Sequence, residues 1–222
     1  MDGTGELFGP FVRALPPDLP ATVVAYPPRQ ALGYAALRPI VEAAIPAEGP
    51  YAVVAESFSG PLGILHAAGR PPRLKALVLS ATFASNPLPV AIPGLGALAT
   101  STMFRIRPTE AFVRNFLAGA DVSPEVLSVS MSIAARLDPD VMAFRLRQVL
   151  AVDVEAALAS IEVPVLYLRA ANDRIVSKRA MERIKARVPR FEEVVLDAHH
   201  LLLQTRPAEA VRAMDALLRA TG

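Results

Sequence analysis

Four short runs rich in Val, Leu and Ala constrain this chain more than any other feature: ATVVAYP (21–27), YAVVAES (51–57), LKALVLSAT (74–82) and VPVLYLRAA (163–171). Each is too short for a stable helix and apolar on both of its alternating faces, as buried strands are. A fifth run, FEEVVLDA (191–198), is more amphipathic and is expected near a sheet edge. Helical periodicity marks the intervals at 7–15, 34–45, 61–68, 179–188 and 207–218. Strand and helix therefore alternate, which predicts an α/β fold: a mostly parallel sheet covered by helices on both faces, in three layers.

Composition narrows the function. With 222 residues, 53% hydrophobic and 20% charged, the chain has enough apolar material for a substantial core. The net charge is only +2 and the arginines are scattered, so no nucleic-acid footprint is expected. The absence of cysteine excludes disulfides, thiolate metal sites and a cysteine nucleophile. Three histidines, His66, His199 and His200, are too few and too badly spaced for a metal site, and no cofactor is expected. No uninterrupted apolar stretch of about 18 residues suggests a membrane span. MDGTGELFGP lacks the basic start and apolar run of a signal peptide, so a cytoplasmic location is expected.

The rhythm breaks between about 86 and 160. This interval opens with NPLPVAIPGLG and then carries only helix-like pieces, with Pro108, Pro124 and Asp138-Pro139 at expected helix starts. It is too apolar to be a solvated linker. The expected organisation is a core of residues 1–85 and 161–222 with a helical cap, or lid, at 86–160, since such insertions lie at the carboxyl edge of a parallel sheet where ligands bind.

YAVVAESFSGPLG carries the chemistry. Ser57 is flanked two residues away by Ala55 and Ser59, the smallest substitutes for the glycines of a nucleophile elbow. Small residues are needed because the nucleophile sits in a strained turn, where larger neighbours would collide with the strand and helix. Gly60 adds room, and Pro61 falls in the first helical turn, where a missing N–H costs little. Ser59 is the weaker candidate nucleophile, because Pro61 would stand in its downstream flanking position.

A serine hydroxyl needs a base, and the base an orienting acid. Asp173 stands in the loop after VPVLYLR; a turn or capping role is its alternative. His199 and His200 both stand between the fifth run and the final helix, whereas His66 lies inside the helix after the elbow and reads as structural. The order Ser, Asp, His is more specific than any one member.

DGTGELFGPFVRALP, AESFSGPLG, VPVLYLRAANDRIV and HHLLLQTRPAEA together resemble the α/β-hydrolase superfamily, among its small bacterial members with a helical cap. In such proteins a proline opens the last helix about seven residues after the base; Pro207 stands at that distance from His200, which selects His200 over His199. The resemblance gives Asp173 the acid role. It implies ester hydrolysis through an acyl-enzyme on Ser57, and the serine argues against the dehalogenase and epoxide hydrolase branches, which use aspartate there. Phe58 is expected to supply one oxyanion N–H and the MDGTGELF loop, at Met1 or Asp2, the other. The strand and Pro-Gly that precede this loop in relatives are not present. The chain is either an N-terminally shortened version or a small hydrolase in which residues 21–27 close the gap.

The expected activity is a serine carboxylesterase acting on small or medium acyl esters, its partner a small-molecule ester. A thioesterase or acyltransferase using the same triad, or a catalytically disabled ligand-binding homologue, remain alternatives. Leu95, Leu98, Met103, Phe104, Phe112 and Phe116 suggest an apolar acyl pocket, although packing onto the core would account for most of them. The unusual sheet edge predicts a homo-oligomer.

Overall fold

The computed structural model describes residues 1–88 and 99–220. Four of the apolar runs become β1 (Tyr51–Glu56), β2 (Leu74–Ser80), β3 (Val165–Ala170) and β4 (Phe191–Leu196). Among the described residues they form one sheet in the order β1-β2-β3-β4, and every pair is parallel. The register sets Glu56 opposite Ser80, Ser80 opposite Leu168 and Ala170 opposite Leu196, so the strands deliver their following loops to one end of the sheet. The amphipathic β4 is an edge, as its pattern predicts.

The two-residue period sorts the strand side chains into two cores. Leu77, Leu79, Val165 and Tyr167 pack on one face with Ile64 of α3 (Gly60–Ala68) and with Met181 and Ile184 of α8 (Lys178–Lys185). Ala76, Val78, Leu166 and Leu168 pack on the other. There they meet Phe11 of α1 (Gly9–Ala14), Leu202 and Leu203 of α9 (Leu202–Thr205) and Met214 and Leu217 of α10 (Pro207–Arg219). Fully burying one such leucine is worth about 1.5–3 kcal/mol. These contacts make the three layers.

Residues 21–27 depart from expectation: they form no strand. Ala21, Thr22 and Val23 are exposed, and the Tyr26 N–H donates to Gly3 O at 2.7 Å rather than to a strand. Apolarity was present, but the backbone found its partner in the N-terminal loop. β1 consequently pairs only with β2 among the described strands.

Between β2 and β3 the regular elements among the described residues are helical, ending in a 3-10 helix (Glu155–Ser160), apart from one isolated bridge, Ser85 to Asp153. They comprise α4 (Ser101–Arg105), α5 (Glu110–Phe112) running into a π-helical turn (Val113–Ala118), α6 (Pro124–Arg136) and α7 (Pro139–Ala151). Ser123 Oγ accepts from Val126 N at 3.3 Å. Asp138 Oδ1 accepts from the N–H groups of Asp140 and Val141 at 2.9 and 3.2 Å. Both are capped helix starts with proline at the first position, as read from the sequence. Pro108 is a correction: the helix begins at Glu110, because Thr109 supplies the cap by accepting from Phe112 N.

Candidate active site

The turn after β1 holds Ser57 at φ 51°, in the left-handed region that costs a non-glycine residue about 1–3 kcal/mol. Its carbonyl accepts a short hydrogen bond from Thr82 Oγ1, just past β2. The Tyr167 hydroxyl on β3 fixes Thr82 in turn, donating to its carbonyl at 2.7 Å and accepting from its N–H at 3.0 Å. A Cβ at Gly60 would stand 1.8 Å from Thr82 Oγ1, so this close approach is what demands glycine in the turn. Ser59 does more than keep the elbow small, since its Oγ lies 3.0 Å from the Tyr26 hydroxyl.

The loops after β3 and β4 are tied together where they leave the sheet. Asn172 N donates to Ala198 O at 2.9 Å, and Asn172 Nδ2 donates to Asp197 Oδ1 at 2.8 Å. Asp173 Oδ1 accepts from the N–H groups of Ile175 and Val176 at 2.7 and 3.0 Å. That aims Oδ2 at His200 Nδ1, 2.9 Å away, while His200 Nε2 lies 2.8 Å from Ser57 Oγ. The Asp173 and His200 side chains are only 6% and 9% exposed, so their interaction is weakly screened. The structure thus brings Ser57, His200 and Asp173 into one relay. His199 stands apart, beside Gly119, and His66 in α3 is bonded to the Tyr51 hydroxyl at 2.9 Å.

Phe58 is buried, with its ring stacked on Tyr34 at 4.9 Å and edge-on to Tyr26 at 6.2 Å. Met1 packs against this same aromatic cluster. The Asp2 carboxylate accepts from Thr4 N and Oγ1 at 2.9 and 2.7 Å.

One buried acid adjoins the relay unforeseen by the sequence. Glu56, the residue before Ser57, accepts from Gln204 Nε2 at 2.9 Å. Glu56 Oε1 and Gln204 Oε1 have no partner, and burial pushes the Glu56 carboxyl up from its ordinary value near 4.5. A carboxylic acid facing an amide satisfies such a pair, because its O–H supplies the missing donor.

Of the apolar residues named in the insertion, Met103, Phe112 and Phe116 are 56%, 41% and 40% exposed, so core packing does not account for them. Phe112 stacks on Phe116 at 5.1 Å, and the Arg174 guanidinium, next to Asp173, lies 5.7 Å from the Phe116 ring. Leu95 and Leu98 lie outside the described residues. Among the described residues no group of three or more His, Asp or Glu could hold a metal ion, and no helix is long and apolar enough to cross a membrane.

A strained serine at the carboxyl end of a parallel sheet, joined to histidine and aspartate from the last two strand loops, defines a class. The profile of the alpha/beta hydrolase family matches residues 4–214, and the chain belongs to that family. It is similar to a hydrolase from Pseudomonas aeruginosa PA01, at 24% identity, covering 87% of this chain and 74% of that one with a TM-score of 0.70. A bromoperoxidase from Bacillus anthracis is 14% identical, with 97% and 88% covered and a TM-score of 0.76. The enol-lactonase from Burkholderia xenovorans LB400 is 15% identical, with 98% and 88% covered and a TM-score of 0.73. At these identities the likeness is one of fold. No curated protein matches the sequence significantly.

Proposed function

We propose that the protein is a serine carboxylesterase that cleaves small to medium acyl esters, with residues 86–160 forming a helical lid over the site. The observation that carries this reading is the unbroken relay from Ser57 Oγ to His200 Nε2 at 2.8 Å and from His200 Nδ1 to Asp173 Oδ2 at 2.9 Å. In it the His200 Nδ1–H donates a hydrogen bond to Asp173 Oδ2, which leaves the Nε2 lone pair to accept from the serine hydroxyl.

The chemistry follows from those positions. Ser57 Oγ attacks the ester carbonyl as His200 takes its proton, and Asp173 stabilises the imidazolium. The tetrahedral oxyanion is met by the N–H of Phe58 and by an N–H of the Met1–Asp2 loop, each donor lowering the barrier by about 3 kcal/mol. Collapse expels the alcohol, which leaves with the proton from His200. Water then repeats the sequence on the acyl-enzyme, releasing the acid and restoring Ser57. The exposed Phe112–Phe116 stack beside the Asp173 loop supports an apolar acyl group.

The test is hydrolysis of p-nitrophenyl acetate and butyrate by the wild-type chain beside Ser57→Ala and His200→Ala. Turnover that falls by about 10^4-fold or more in both variants is expected. Equal turnover in wild type and Ser57→Ala would sink the mechanism. A wild-type chain that binds apolar acids but hydrolyses neither ester would replace it with a non-catalytic binding role.

A further inference from the structure

Arg145, on α7 of the insertion, is fully buried and makes no salt bridge among the described residues. A guanidinium taken out of water needs its N–H groups satisfied. Its Nη groups go to backbone carbonyls: Nη1 donates to Met1 O at 2.7 Å and to Asp2 O at 2.8 Å, and Nη2 donates to Pro27 O at 2.9 Å, while Nε is buried without a partner. All three carbonyls belong to the two segments that flank the elbow. Tyr26, next to Pro27, bonds Gly3 O through its N–H and reaches Ser59 Oγ through its hydroxyl. The loop is fitted to the cation: Gly3 has φ 81°, and a Cβ there would stand 2.7 Å from Arg145 Nη1.

We propose that Arg145 is a positioning residue that holds the Met1–Gly3 backbone in place as the second oxyanion donor, so that the insertion itself completes the catalytic site. The inference rests on the esterase reading above for its catalytic consequence, but not for the clamp. A planar fork can hold three carbonyls at once, whereas an ammonium is a single point with different reach. Helix α7 is therefore anchored to the core.

Two measurements separate the clamp from the esterase reading. Amide hydrogen exchange in Arg145→Ala and Arg145→Lys is expected to rise at least about tenfold at residues 3–5 and Tyr26 while β3 stays protected. Unchanged exchange at those amides overturns the proposal whether or not the wild type hydrolyses esters. On p-nitrophenyl butyrate, kcat of Arg145→Ala should fall by about 10^2-fold with KM within about twofold, the signature of a lost transition-state donor. Millimolar methylguanidinium should restore part of that rate. A raised KM with unchanged kcat, or a loss that methylguanidinium leaves untouched in a folded variant, overturns the positioning role. If Arg145→Ala does not fold, Gly3→Ala displaces the same loop from the opposite side and is expected to show the same loss confined to kcat; full activity in that variant overturns the proposal.

Discussion

The two halves of the proposed site are built by different means. The acid–base half hangs on strand ends: Asp173 follows β3, His200 follows β4, and the Asn172 bonds to Ala198 and Asp197 keep the two loops in step. The oxyanion half has no strand behind it among the described residues; its loop is held by Arg145, reaching in from α7, and by the Tyr26 N–H on Gly3 O. Geometry set by sheet register is shared over many backbone bonds, so single substitutions disturb it little. Geometry set by a guanidinium and a single backbone bond is concentrated in very few residues. The first kind of half fails through its chemistry and the second through its support.

The largest expected effect tests the first half. Asp173→Asn keeps the loop but presents the wrong hydrogen-bonding partner to His200 Nδ1, and kcat should drop by roughly 10^4 with the fold intact by circular dichroism. A loss no greater than that of Arg145→Ala would erase the contrast. Gly60→Ala comes next, because it strikes the elbow that both halves share. The new methyl would drive into Thr82, and a destabilisation of about 1–3 kcal/mol in urea unfolding is expected. A neutral result would mean that the turn relaxes around Thr82.

The smallest effect belongs to Glu56→Gln, at the join between nucleophile strand and base loop. Burial raises the Glu56 carboxyl in the folded state, so folding takes up a proton there. Its contribution to stability is whole below the ordinary value near 4.5 and is lost as pH rises through the raised one. The wild-type urea midpoint should therefore fall with rising pH across that window, while Glu56→Gln, uncharged throughout, flattens this component of the profile. Identical slopes would show that Glu56 is ionised in the folded protein.

These contrasts track what was legible in the sequence. Alternating apolar runs announced the sheet and its two-faced cover, because strand and helix periods differ even in a single chain. They failed at 21–27, where the apolar residues are real but, among the described residues, no strand pairs with them. Ser57 stood out as an elbow and Asp173 and the His199–His200 pair as strand-end loop residues; the family resemblance favoured Asp173 and His200, and these two lie in one hydrogen-bonded chain with Ser57. Thr82, Tyr26, Arg145 and Gln204 could not be read. Their partners lie 25, 33, 144 and 148 residues away, and an isolated polar residue carries no period that betrays such a contact.

The π-helical turn at Val113–Ala118 links the proposed lid to the loop that carries His200. Leu201 N, immediately after His200, donates to Leu117 O at 2.7 Å, and Phe116 precedes that carbonyl by one residue. The apolar wall and the base loop thus share a backbone bond, like two pages sewn at one stitch. In the esterase proposed above, an acyl group that pushed Phe116 outward would tug on the chain beside His200, so its bulk would be felt as misalignment of the proposed base as well as crowding. Selectivity of that kind resides in the rate of turnover more than in the tightness of binding.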